Sequence, residues 1–259
     1  MSQTASSRRY SYREAYDLLG GAQKSARRAG GYSRWINRPV GRHLAAWAYG
    51  RGMSPNQVTA ISGLFTFAAI VAVAVLPLSW YLAVGVALFL MFGYALDSAD
   101  GQLARLTRTG SAAGEWLDHV SDCVKCCSLH LAVLICWYRH YGLHHARYLV
   151  IPIAYTLVST VWFFAIILSE QIRRYTVLRL GQGTSAPRST AAPVLMSLLV
   201  LPADYGLLAV SFATLSARPL FGAIYTVLLV GNALFLVVKL RAWYVELSGL
   251  EAAAVAARS

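Results

Sequence analysis

Six apolar runs of about 20 residues each decide what this chain can become. They lie near residues 57–77, 80–97, 113–137, 149–170, 192–214 and 219–240. Each is long enough to carry a helix across about 30 Å of hydrocarbon at about 1.5 Å per residue. The runs are continuous and do not alternate every second residue, which favours helices over the short strands of a barrel. A mean hydropathy of +0.51, with 57% hydrophobic and only 13% charged residues, agrees with that reading, since about a quarter of a soluble domain is charged. The expected fold is an all-α integral membrane protein with six transmembrane helices.

The formal net charge of +12 points to membrane topology and not to nucleic acid. Following the six spans alternately, one side receives ten Lys or Arg from the N-terminal segment. It also receives Arg105, Arg108, Arg173, Arg174, Arg179, Arg188, Lys239, Arg241 and Arg258. The other side receives Arg139, Arg147 and Arg218. By the positive-inside rule both termini and the first side face the cytoplasm of a cell membrane. Anionic lipid headgroups are a second use for the basic surplus. The first fifty residues show no apolar core of a cleavable leader, so insertion is expected to rely on the first span.

Residues 1–52 read as a basic, amphipathic N-terminal extension. In SRWINRPVGRHLAAWAYGRG, Arg34, Arg38 and Arg42 recur every four residues while Ile36, Val40, Leu44 and Trp47 follow helical spacing elsewhere. This suits a helix lying in the headgroup plane, with Pro39 as its start or a kink. Residues 53–245 form the six-helix domain and 246–259 a C-terminal tail. Cys123, Cys126, Cys127 and Cys136 lie in or near one span without a second ligand pair at finger-like spacing, so buried thiols are expected there and not zinc. His140, His144 and His145 fall in a short interfacial loop.

The acidic residues are distributed unevenly. Of eleven in the chain, five lie in the stretch DSADGQLARLTRTGSAAGEWLDHVSD, residues 97–122. Asp97 and Asp100 are three apart at the end of the second span; Asp118 and Asp122 are four apart at the start of the third. Each pair shares a helical face, and the short segment between them folds the two helices together into one four-carboxylate cluster. Ionised aspartate in a membrane costs about 2.5 to 3.5 kcal/mol near the centre and less at the edge, so a cation must offset it. Carboxylate oxygens suit hard divalent ions such as Mg or Mn, and four of them can hold two ions about 3.5 to 4 Å apart. Gly101, Ala104 and Gly114 leave room for a ligand, and the fork of Arg105 suits a phosphate. The expected site is dinuclear, phosphate-handling and set in a polar cavity open to the cytoplasm.

These residues carry a resemblance. Asp97-x-x-Asp100-Gly101-x-x-Ala104-Arg105, eight residues, then Gly114-x-x-x-Asp118-x-x-x-Asp122 resembles the signature of the CDP-alcohol phosphotransferases, which also have about six spans. The resemblance implies attack of an acceptor hydroxyl on the β-phosphorus of a CDP-linked alcohol, with release of CMP, in phospholipid biosynthesis. One of the two substrates would be a lipid. It implies that Asp97 and Asp118 touch both metal ions, Asp100 the first and Asp122 the second, with Asp122 also the general base. It further implies that Gly101, Ala104, Arg105, Ser111 and Gly114, with Asn56 and Thr59 in SPNQVT, hold the CDP-linked substrate, and that the protein forms homodimers.

Glu115 and His119 in GEWLDHVSD are similar to the pattern of choline and ethanolamine phosphotransferases, but two residues leave open whether the lipid is donor or acceptor. Three further features stay open: Lys125 as counter-ion or acceptor ligand, the basic residues of 173–188 as topology signal or phosphate pocket, and Asp204 as functional carboxylate or helix break. The alternative function is an ion-coupled transporter or channel with a carboxylate cation site.

Overall fold

The computed structural model describes residues 10–21, 30–141, 146–179 and 204–256. These residues are helical, with no strand among them. In chain order the helices are α1 (Tyr12–Gly21), α2 (Arg38–Gly50), α3 (Pro55–Val75), α4 (Trp80–Thr107), α5 (Ala112–His140), α6 (Val150–Arg179), α7 (Tyr205–Ser211) and α8 (Arg218–Ala256). Five segments are long and apolar enough to cross a membrane: Pro55–Val75, Trp80–Thr107, Ala112–His140, Arg147–Arg179 and Arg218–Leu250. The protein is therefore multi-pass. Most of the expected span at 192–214 lies outside the described residues. Its described part is α7 followed by one tight turn, Phe212–Thr214, which is apolar but too short to cross by itself.

Serine starts three of these helices. Ser54 accepts Gln57 N–H while the Gln57 side chain accepts Ser54 N–H, a reciprocal cap that fixes the head of α3. Ser79 caps α4 through Leu82 N–H, and Ser111 caps α5 through Gly114 N–H. Helices surrounded by lipid gain little from hydrophobic burial against each other, so close packing of small residues matters more. Gly93 lets α4 cross α3 tightly: Ser62 Oγ donates to Gly93 O at 2.9 Å, and a Cβ at Gly93 would overlap Thr66 Oγ1. One buried cluster, including Val73, Leu90, Leu129, Val133, Phe212, Phe221 and Tyr225, ties α3, α4, α5 and the C-terminal helices together. A second, including Leu19, Ala45, Ala46, Val58, Ala99 and Leu103, ties α1 and α2 to α3 and α4.

Just before α2, residues Ser33–Asn37 form a wide π-type turn, a feature often found beside functional sites. Pro39, which has no N–H to donate, follows the π turn directly within a helical run unbroken from residue 31 to 50. The inner face of α2 is made of Gly41, Ala45, Ala46 and Ala48, all buried, whereas Trp35, Ile36, Val40 and Trp47 are exposed. Gly41 sets the approach to α4, since a Cβ there would stand 2.9 Å from Ser98 and 3.1 Å from Ala95 O. The N-terminal segment thus lies directly on the helix that carries Asp97 and Asp100.

Candidate metal and substrate site

The last turns of α4 and the first turns of α5 form a helical hairpin joined by four residues, 108–111. Arg108 takes the left-handed conformation (φ 55°) and its N–H bonds to Ala104 O, which closes α4 sharply. Ser111 then caps α5. This turn sets Asp97 and Asp100 against Asp118, each offering one carboxylate oxygen, with the three oxygens within 4.8 Å of one another. Asp100 is buried, and Thr59 Oγ1 donates to its Oδ2 at 2.6 Å.

Asp122 is arranged differently. Its Oδ1 accepts from Lys125 Nζ at 3.0 Å, and the same ammonium donates to Asp97 Oδ1 at 2.7 Å. The structure therefore joins the four aspartates through Asp97, which belongs both to the triad and to the lysine bridge. Of the alternatives for Lys125, this geometry supplies the counter-ion: a buried ammonium satisfied by two carboxylates. The triad suits a metal ion, because three hard, acidic oxygen donors within a few ångströms match the carboxylate ligation of divalent cations.

A cavity of about 540 Å³ opens beside Asp100 and Asp118 of the triad. Asn56, Thr59, Gly101, Ala104, Arg105, Ser111 and Gly114 all line it, together with Asp100 and Asp118. At Gly114 a Cβ would stand 3.2 Å from Ser111 Oγ and 3.3 Å from Asn56 Oδ1, crowding the wall. Arg174 also lines this cavity, held by Glu170 at 2.7 Å and Glu115 at 2.9 Å. Arg173 makes a two-pronged bond to Glu246, at 2.8 and 3.0 Å, linking the ends of α6 and α8. Arg188 lies outside the described residues, as do His144 and His145.

Two smaller cavities meet the same aspartates. One, about 220 Å³, is mostly apolar, lined by Leu129, Phe163, Leu208 and Tyr205, and reaches Asp97, Asp122 and Lys125. The other, about 250 Å³, is polar and lies between the π turn and α4, with Asn37, Arg38, Gln102 and Arg105 in its walls. Arg38 is partly buried there, which lowers its pKa from the ordinary arginine value while an arginine remains charged at neutral pH. Sequence reasoning missed Asn37, Arg38 and Gln102, because helical periodicity in the N-terminal segment says nothing about which distant helix it will cover.

The sequence profile of the CDP-alcohol phosphatidyltransferases matches residues 53–238. The chain belongs to that family. Membership makes it a phosphotransferase of phospholipid synthesis, consistent with its multi-pass helical build. The matched segment begins just before α3 and includes every aspartate of the site, whereas α1, the π turn and α2 precede it. Among curated proteins, no sequence matches the chain.

The remaining acidic candidate has a structural role. Asp204 Oδ1 accepts Gly206 N–H at 3.0 Å, capping α7, and its Oδ2 accepts Ser33 N–H at 3.0 Å, capping the first turn of the N-terminal helical segment. One carboxylate joins two helix starts 171 residues apart, each favourable for negative charge. The cysteines are free thiols, with Cys127 Sγ 3.1 Å from Thr160 Oγ1.

Proposed function

We propose that the protein transfers a substituted phosphate from a CDP-linked alcohol to an acceptor hydroxyl, releasing CMP. The observation that carries this reading is the convergence of Asn56, Thr59, Gly101, Ala104, Arg105, Ser111 and Gly114 on one cavity whose walls also include Asp100 and Asp118 of the aspartate triad. The CDP-linked donor occupies that cavity, where Arg105 offers its fork to the diphosphate and the bare backbone at Gly101 and Gly114 lets the ligand approach closely. Asp97, Asp100 and Asp118 would hold a Mg or Mn ion, and Asp122 would contribute to a second. Such ions supply charge neutralisation on the phosphoryl oxygens. The acceptor O–H attacks the β-phosphorus, the new P–O bond forms as the bond to CMP breaks, and the proton passes to the Asp122 carboxylate. CMP leaves with the bridging oxygen.

The exposed Trp35, Ile36, Val40 and Trp47 on α2 support an interfacial position for the N-terminal segment, and the Lys and Arg asymmetry supports a cytoplasmic site and termini. The protein acts as a homodimer, as the family resemblance implies. Purified protein should release CMP from a CDP-alcohol only with added divalent cation, and Asp122→Asn should lower turnover by about 10² to 10⁴-fold in protein that thermal unfolding shows to be folded at the assay temperature. Full turnover in Asp122→Asn, or metal-independent release, would overturn the assignment.

A further inference from the structure

A cavity of about 560 Å³ opens at the end of the bundle opposite the aspartates. Asp118 lies near the start of α5 and Trp137 near its end, so about 28 Å of helix separates the two sites, close to the thickness of the hydrocarbon layer. Trp137 and Tyr141 of α5, Tyr148 and Ile151 where the chain enters α6, and Arg218 and Gly222 at the head of α8 form its walls. Tyr148 is 40% exposed and Tyr138, beside it in the fold, 72%, as suits an aromatic belt at a membrane interface. Val227, also in the wall, is 70% exposed, so the cavity opens sideways to lipid.

Two features select its occupant. The floor is bare: a Cβ added at Gly222 would meet no described atom within 4 Å, so apolar space stands over α8. The rim is cationic. The Arg218 guanidinium lies 5.8 Å from the Tyr141 ring centroid, and that of Arg147 lies 5.1 Å from Tyr148. None of the eleven acidic residues of the chain falls within 18–96, 123–169 or 205–245, the stretches that build this end. The protein therefore has no carboxylate with which to pair these arginines. Arg139, the third arginine here, is met differently, by Ala74 O at 2.6 Å, where the last carbonyls of α3 favour a cation.

A glycine-floored groove could also take the helix of a second copy. Paired about a two-fold axis, that copy would bring its own Arg147 and Arg218 to the same level, and like charges would face each other without an acid from either chain. A phospholipid meets both features, with an acyl chain along the apolar floor and its phosphate at the guanidinium groups.

We propose that this cavity holds one phospholipid with an anionic headgroup, in the leaflet opposite the aspartate site, and that the lipid braces the junction of α5, α6 and α8. It is a structural ligand and not a substrate, so the inference is independent of the transferase reading.

The test uses the full-length protein, delipidated in detergent and kept in chelator so that no lipid is turned over. Native mass spectrometry counts bound dioleoyl phosphatidylglycerol and dioleoyl phosphatidylcholine, which share their acyl chains. One phosphatidylglycerol should bind at least about 10-fold more tightly than phosphatidylcholine and raise the unfolding temperature. Arg218→Gln should reduce that preference to below about threefold, and Arg218→Lys, which keeps the charge, should restore part of it. Gly222→Leu, whose side chain enters the empty space, should weaken both lipids by about 10-fold in a protein that still unfolds cooperatively. Equal affinity for the two lipids would overturn the proposal, as would a preference unchanged in Arg218→Gln or tight binding that persists in Gly222→Leu. Phosphatidylglycerol held in the aspartate site would be indifferent to both variants and would count in the same way. A dimer that Gly222→Leu dissolves, with no lipid retained by the parent, would assign the groove to a second copy and overturn it too.

Discussion

Lys125 Nζ donates to Asp97 Oδ1 at 2.7 Å, so a carboxylate of the candidate metal triad is held by an ammonium from the neighbouring helix. Asp122 takes the second bond at 3.0 Å. Removing one member of such a buried group leaves the others uncompensated, at about 3 kcal/mol. Lys125→Met should therefore lower the unfolding temperature in chelator and regain much of the loss on adding Mn²⁺, which substitutes for the missing positive charge. Thermal unfolding in detergent with and without metal checks this. Equal stability of variant and parent in chelator would show that the bridge contributes nothing.

Asp204 predicts a loss of a different kind. Asp204→Ala removes two helix caps, one on α7 and one on the N-terminal segment. Each cap contributes about 1 kcal/mol, so the variant should lose about 2 kcal/mol, and Asp204→Asn should recover about half. Limited proteolysis near residues 30–33 should also accelerate in the alanine variant, because Ser33 is released from its anchor.

At the crossing of α3 and α4, Gly93→Ala should destabilise by about 1 to 3 kcal/mol through overpacking against Thr66. Adding Thr66→Ala removes the overlapping oxygen. Unfolding of the single and double variants should show a coupling between the two positions, and additive losses would refute direct contact as the cause.

Arg108 predicts a gain. A non-glycine residue in the left-handed region at a helix end costs about 1 kcal/mol, and Arg108 is there at φ 55°. Arg108→Gly should raise the unfolding temperature by an amount equivalent to about 1 kcal/mol, with CMP release unchanged.

Much of the site was legible because its information is local. The spacing of Asp97 and Asp100, and of Asp118 and Asp122, places each pair on one helical face, and the short link from Arg105 to Gly114 requires the two helices to turn back on each other. What periodicity could not convey is contact between distant segments. The partition of the four aspartates depends on Lys125 reaching across to α4, a matter of side-chain reach and not of motif. Asp204 looked anomalous within an apolar run because its partner, Ser33, lies far away in sequence. The tight approach of α2 to α4 depends on Gly41 meeting Ser98 and Ala95, which no pattern within either helix announces. Five spans are described where six were expected, since most of 192–214 lies outside the described residues.

The four-residue link between α4 and α5 makes length the stiffest variable of the site. Ser111 anchors the start of α5, and Asp118 and Asp122 are counted off from it along an unbroken helix. Each residue advances the phase by about 100°, so a single insertion between Gly114 and Asp118 would swing both carboxylates away from α4 together. A point replacement withdraws one oxygen donor; a change of one in the spacing withdraws half the quartet.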